Sequence, residues 1–190
     1  MSIDIQNLYF PEVKLISPKI FGDERGFFLE TFNTIKFDEI GIQDVFVQDN
    51  LSMSKRGTLR GLHYQLLNPQ DKLVFVSYGK VLDVFVDIRL GSPKFGHFQS
   101  IELDGSKMQF LFIPKGFAHG FLTLSERAVF QYKCSEYYFP EDQYSILWND
   151  EDIDISWPKN ISPILSPKDK SAKTFKQIKK EKLLPKYHEK

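Results

Sequence analysis

The chain has 190 residues and a mass of 22.2 kDa, a size that suits one domain and allows two only if both are small. Hydrophobic residues at 42% and charged residues at 26% exclude wholesale disorder. Lys+Arg and Asp+Glu each number 25, which excludes the overall positive charge of a general polyanion binder. The balance hides an asymmetry, because residues 168–190 hold nine lysines against Asp169, Glu181 and Glu189. That stretch carries +6 and the first 167 residues carry −6. With no arginine or aromatic ladder among the lysines, the tail reads as a solvated helix face, and neither nucleic acid nor membrane is expected as a partner. Cys134 stands alone, so there is no intrachain disulfide and a reducing compartment fits. The segment MSIDIQNLYF lacks a signal-peptide apolar run, and no stretch approaches the roughly 20 apolar residues that span a bilayer. A cytoplasmic protein is the expectation. The 18 phenylalanines supply either buried area or flat stacking surfaces, and composition alone does not choose between them.

In chain order, residues 34–40 suit a short helix with Asn33 as its N-cap. The middle then reads as short strands rich in β-branched and aromatic residues, at 72–78, 81–88, 98–103, 108–113 and 128–133. Turn chemistry separates them at 79–80, 90–96, 104–105 and 114–120. Strands about every ten residues without intervening helical periods predict an antiparallel sandwich or barrel. Along 81–88, Leu82, Val84, Val86 and Ile88 share one face, and Val81, Asp83, Phe85 and Asp87 share the other. Those two acids either line a cavity or meet water. At Ser166-Pro167-Lys168-Asp169 an N-cap, a first-turn proline and a capping-box acid predict a C-terminal helix. Its narrow apolar stripe runs through Ala172, Phe175 and Ile178 to Leu183, and Pro185 ends it. The expected organisation is a single domain over 1–190, with 168–190 as a basic helix or tail.

Four histidines are available for chemistry: His63, His97, His119 and His188. Residues 114–120, PKGFAHG, have the PxGxxH form that resembles the second motif of the cupin β-barrels, which sets a histidine in the barrel mouth. Metal-binding cupins draw further ligands from an HxH pair, but here Leu62-His63-Tyr64-Gln65 puts Gln65 where the second histidine would stand. Two histidines without a third imidazole or a placed carboxylate make a poor transition-metal site, so a metal-free barrel is expected. His63 is then left for proton transfer, among Arg60, Gly61 and Lys72, or for a purely structural place in the barrel. His97 and His188 read as surface residues.

Five strings extend this. FGDERGFFLE (21–30), VQDN (47–50), LRGLHYQ (59–65), IPKGFAHGF (113–121) and SILWND (145–150) occur in order at compatible spacing. Together they resemble the dTDP-4-dehydrorhamnose 3,5-epimerase family, from about residue 5 to residue 169. The resemblance implies a mainly β, antiparallel jelly-roll (cupin-like) barrel. It also implies an enzyme needing no cofactor, which acts on a nucleotide-linked 4-keto-6-deoxy sugar. The ketone acidifies the flanking C3 and C5 protons, so a base can form an enolate whose reprotonation from the opposite face inverts the carbon. The family's base falls on His63, its acid on Tyr132, the carboxylate that orients the base on Asp169, and the enolate-stabilising lysine on Lys72.

By the same resemblance, Arg25 and Arg60 hold the diphosphate or nucleotide, with Glu30, Gln48 and Asn50 nearby. His119, Gln143 and Lys168 take further pocket positions, and the Tyr138 ring stacks on thymine. The segment with Arg25 and Glu30 reaches a partner's site, which implies a homodimer. Each residue keeps a plainer possibility: Asp169 as a helix cap, Tyr132 as a core tyrosine. The chain departs from its relatives at Gln143-Tyr144, where a glutamate is common, and in the short loop 66–71. Other possibilities are a same-fold epimerase acting at one carbon, one acting on another nucleotide sugar such as a GDP-4-keto-heptose, a metal-dependent cupin enzyme, and a non-catalytic sugar binder.

Overall fold

The computed structural model describes residues 4–187. His188, expected at the surface, and the last two residues of the basic tail lie outside that range. The chain is mainly β, and two antiparallel sheets carry it. One has six strands in the order β1 (Asp4–Gln6), β2 (Lys14–Ser17), β10 (Phe110–Ile113), β7 (Lys72–Tyr78), β12 (Arg127–Cys134) and β5 (Gln48–Lys55). The other has five, in the order β13 (Gln143–Ser145), β6 (Leu59–Gln65), β11 (Phe117–Thr123), β8 (Lys80–Asp87) and β9 (Phe98–Asp104). A separate hairpin pairs β3 (Ile20–Asp23) with β4 (Gly26–Leu29). Among the described residues, no helix is long and apolar enough to cross a membrane.

The period-2 alternation along β8 does what it predicts. Val81 and Phe85 join the core between the sheets with Phe10, Leu111, Phe121 and Phe130. Val84, Val86 and Ile88 face the other way, into a second apolar layer under the C-terminal segment with Phe175, Ile178 and Leu184. Asp83 and Asp87 both lie fully buried, so neither meets water. Asp87 is paired with Arg89 and accepts from Ser92, as a buried carboxylate requires. Helix α1 (Thr34–Glu39) covers the outer face of the six-stranded sheet through Phe37, and its first turn is capped by the Asn33 side chain as expected.

Two expectations need correction. The stretch 114–120 is not all turn: β11 begins at Phe117 and takes in His119 and Gly120. The turn is confined to the residues before it, and Gly116, at φ +91, occupies the left-handed conformation there. The C-terminal helix is also not continuous. It divides into α2 (Pro167–Lys170) and α3 (Phe175–Lys180).

Competing hydrogen bonds explain the break. The Leu147 N–H donates to the Lys173 carbonyl, and the Phe175 N–H donates to Asp150, which pulls the linking residues onto the 146–150 segment. Thr174 and Gln177 then form a full capping box that restarts the helix. The helix ends at Lys180, short of Pro185.

Candidate active site

Two glycines let β6 and β11 approach closely enough to form one wall of a cavity. A Cβ on Gly61, at φ +111, would stand 2.6 Å from the Gly120 Cα and from the His119 carbonyl oxygen. A Cβ on Gly120 would meet the Arg60 carbonyl at 2.5 Å. With neither present, His63 on β6 sits directly across from His119 on β11. The facing wall comes from the other sheet, where Asn50 on β5 is paired with Tyr132 on β12, and Tyr132 with Val74 on β7.

Between these walls lies a cavity of about 660 Å³ that is open to solvent. His63, Tyr132, Asp169, Lys72, Gln48, Asn50, Arg60, His119, Tyr138 and Gln143 all line it, so ten of the residues expected in the site converge on one space. Lys168 stands at its edge and donates to the Gln143 Oε1, which also accepts from the Tyr138 hydroxyl at 3.0 Å. Arg25 and Glu30 do not reach it within this chain. Arg25, its side chain 85% exposed at the hairpin tip, forks onto Asp23, and Glu30 pairs with Lys36. His97 is exposed, as expected, and its Nδ1 bonds the Tyr9 hydroxyl.

A short contact in the cavity joins residues 106 apart in sequence: His63 Nε2 lies 2.6 Å from Asp169 Oδ1. Asp169 reaches this point because the chain ahead of it is clamped to β6, with the Leu59 N–H donating to the Ile164 carbonyl and the Ile164 N–H to Gly57. Ser166 then caps α2 and its hydroxyl donates to Asp169 Oδ2 at 2.7 Å. Asp169 is therefore both the residue whose backbone N–H Ser166 caps and the partner of the imidazole. Its carboxylate bonds the Ser166 hydroxyl and not the backbone N–H that a full capping box would use. Burial alone would raise its carboxyl pKa. Hydrogen bonds from His63, Ser166 and the Gly61 backbone outweigh that and hold it below its ordinary value. With Nε2 directed at an anionic acceptor, the neutral imidazole carries its proton there and keeps Nδ1 bare.

A second imidazole–carboxylate pair stands beside the first. His119 Nε2 lies 2.9 and 3.0 Å from the two oxygens of Asp83, which is wholly buried. In the sequence Asp83 is an acid that either lines a cavity or meets water, and nothing there ties it to His119. Register supplies the link, since β11 pairs along β8.

Burial pushes the Lys72 amine down, an effect that the nearby Cys134 and Asp83 partly offset. Burial pushes the Tyr132 phenol up, against the opposing pull of Arg60, so it remains protonated at neutral pH. Arg60 is steadied by Ser54, and Cys134 lines the cavity beside Asn50, whose amide donates to its sulfur. Sequence reasoning missed Ser54, Ser166 and Cys134 as parts of the site. Ser166 had a signal as a helix cap; the other two had none. Among the described residues no three His, Cys, Asp or Glu side chains cluster in a way that would hold a metal ion.

Fold and cavity together define a cupin-like barrel whose facing walls carry groups suited to moving protons. Comparison with known proteins makes the class specific. The family model for dTDP-4-dehydrorhamnose 3,5-epimerase matches residues 7–177. The Salmonella typhimurium dTDP-4-dehydrorhamnose 3,5-epimerase is 52% identical over 88% of this chain and 92% of its own length. The Neisseria gonorrhoeae enzyme of that name is 48% identical over 95% of this chain, which spans 55% of that longer protein. A solved structure of the Legionella pneumophila dTDP-6-deoxy-D-glucose-3,5-epimerase, in complex with dTDP-4-keto-L-rhamnose, superposes with a TM-score of 0.95. It is 51% identical and covers 99% of this chain and 100% of its own. The chain belongs to the dTDP-4-dehydrorhamnose 3,5-epimerase family, and it is an isomerase.

Replacing Asp169 tests the pair directly. Asp169→Asn keeps the shape and removes the charge, and should cost kcat part of the roughly 10²–10⁴-fold that a positioned base supplies. Stability should follow the depressed carboxyl pKa. The charge stabilises the native state above the ordinary carboxyl range, and that advantage disappears as pH falls through the lower native value. Denaturation of both proteins from pH 7 downward should therefore show their difference shrinking in acid. A difference that grows in acid would contradict the assignment.

Proposed function

We propose that the chain inverts C3 and C5 of dTDP-4-dehydro-6-deoxy-D-glucose, giving dTDP-4-dehydro-L-rhamnose, with His63 as base and Tyr132 as acid. The observation that carries this reading is the placement of the two groups on opposite sheets, facing one cavity from either side. Inversion requires that arrangement: a proton leaves one face of the sugar and another arrives at the other face. A base and an acid on the same wall would return the original configuration.

The chemistry follows from this chain's own groups. The bare His63 Nδ1 takes the proton from the carbon beside the ketone, and the imidazolium that forms is stabilised by Asp169 through Nε2–H. Negative charge moves to the ketone oxygen as the enolate forms. Lys72 is suited to meet it, because a buried amine made more acidic donates strongly to a developing oxyanion. Tyr132, kept protonated by its burial, supplies a proton to the opposite face. Neither step changes the oxidation state of the sugar.

Substrate binding divides between the ends of the cavity. Arg60 offers a planar donor fork for a diphosphate oxygen, and Lys168 adds a point charge at the rim. The Tyr138 ring, with Gln48, Asn50 and Gln143 around it, suits a flat base carrying amide-like edges. His119, fixed by Asp83, faces the sugar.

Arg25 and Glu30 serve the partner chain's site in a homodimer. Several features support this. Leu51, 67% exposed, and Met53 stand on the outward face of β5, and Phe27 and Phe28 are exposed on the hairpin. A hollow of about 320 Å³ among Leu51, Leu73 and Phe75 opens on the same outer face. An apolar surface of that kind is what an interface buries.

Turnover in heavy water tests the reaction. Deuterium should enter the product at both C3 and C5, and His63→Ala should abolish exchange at both. Tyr132→Phe should slow inversion while leaving some exchange, because proton removal does not use the phenol. Exchange at one carbon would reduce the reading to a single epimerisation, and none at all from folded protein would defeat it. Sedimentation should give the mass of two chains. A monomer with full turnover would contradict the shared site.

A further inference from the structure

Tyr138 lies in a stretch, residues 135–139, that forms neither helix nor strand, so no ladder of backbone hydrogen bonds fixes its ring. Its position rests on side chains, and one of them brackets it. Gln65 Nε2 donates to the Tyr137 carbonyl at 3.1 Å, and Gln65 Oε1 accepts from the Phe139 N–H at 2.9 Å. The residues on both sides of Tyr138 are thus held by a single amide. The same Nε2 also donates to the Asn68 carbonyl at 2.7 Å, which ties in the loop that follows β6.

Gln65 can act as a fixed point because of where it stands. It ends β6, two residues after His63, opposite Gln143, and is 6% exposed. It is not among the residues lining the 660 Å³ cavity. Further bonds stiffen what it holds. Asp142 accepts from the backbone N–H groups of Leu66, Leu67 and Asn68, and the Gln70 amide donates to the Glu136 carbonyl at 2.9 Å. Arg60, His63 and Gln65 share one strand, so losing the Gln65 side-chain amide frees the segment that carries the ring while the strand keeps the base in place.

We propose that Gln65 is a positioning residue that sets the Tyr138 ring at a fixed span from His63, and so governs binding of the nucleotide end without taking part in proton transfer. The proposal rests on the nucleotide-sugar reading above. It gives the amide that replaces the second cupin histidine a task of its own: in place of a metal ligand stands a two-sided backbone clamp.

The test is calorimetric titration with dTDP, alongside steady-state kinetics on the full chain. Gln65→Met, close in volume but unable to hydrogen-bond, should raise the dTDP dissociation constant and KM by about tenfold. Its kcat at saturation should stay within about twofold of the wild type. In a Tyr138→Ala background the same change should have no further effect on dTDP affinity, because the residue acts through that ring. Gln65→Glu is the second variant if Gln65→Met does not fold. It keeps an acceptor for Phe139 but loses both N–H donors, and should also raise the dissociation constant at unchanged kcat.

A lower kcat with unchanged dTDP affinity would overturn the proposal. So would effects of Gln65→Met and Tyr138→Ala that simply add. Wild-type chain that fails to bind dTDP would overturn the nucleotide reading and this proposal with it, whereas normal wild-type binding unaffected by either variant would overturn this proposal alone.

Discussion

The hydrogen bond between His63 and Asp169 is the constraint on which the rest of the site depends. One partner is fixed on a central strand and the other arrives from the C-terminal segment, so the base is oriented only after the chain has folded back across its own barrel. That return is secured at two places. Ile164 is bonded to the start of β6, and Lys173 to the 146–150 segment. The short helix α2 hangs between these anchors, and its cap fixes the carboxylate. A long, continuous helix would have satisfied the sequence's local preferences. It would have carried residues 171–174 away from Leu147 and lost the second anchor.

The cavity has a cost in ordinary packing that is visible on β5. Along Gln48–Lys55 the polar residues Gln48, Asn50, Ser52 and Ser54 face inward, whereas Leu51 and Met53 face out. This reverses the usual alternation, in which apolar side chains line the interior. It follows from a barrel that keeps a cavity lined by polar groups beside a packed core of rings. Phe85 and Phe117 meet edge to face in the packed core, while the stacked rings of Phe121 and Phe130 join that core to the cavity wall. The mouth is left to His63, Tyr132 and their partners.

The same division explains what could be read from the sequence. Strands dominated by apolar residues, such as β7, β8 and β12, announced themselves by composition and period. β5, β6 and β11 did not, because their inward positions carry the polar groups of the site or glycines, which blur the hydrophobic pattern. PKGFAHG looked like turn throughout because glycine at 116 and 120 serves different ends: a positive φ at the first and a close strand approach at the second. The family resemblance located ten of the cavity's residues, five of them inside its motif strings. The strings did not reveal Asp83, whose partner His119 lies 36 residues away and is met only through strand register, nor the partners of Gln65, which are backbone atoms of Tyr137 and Phe139. Contacts of that kind leave no pattern along a chain.

The most direct measurement of the central claim is the nitrogen NMR spectrum of the His63 ring in uniformly labelled protein, assigned by comparison with His63→Ala. At a pH where the ring is neutral, the account predicts a proton on Nε2, held by Asp169, and a bare Nδ1 ready to act as base. Replacing Asp169 with asparagine should weaken or abolish that preference. A neutral ring protonated on Nδ1 in the wild-type protein would contradict the account, because the carboxylate would then face a nitrogen with no proton to hold.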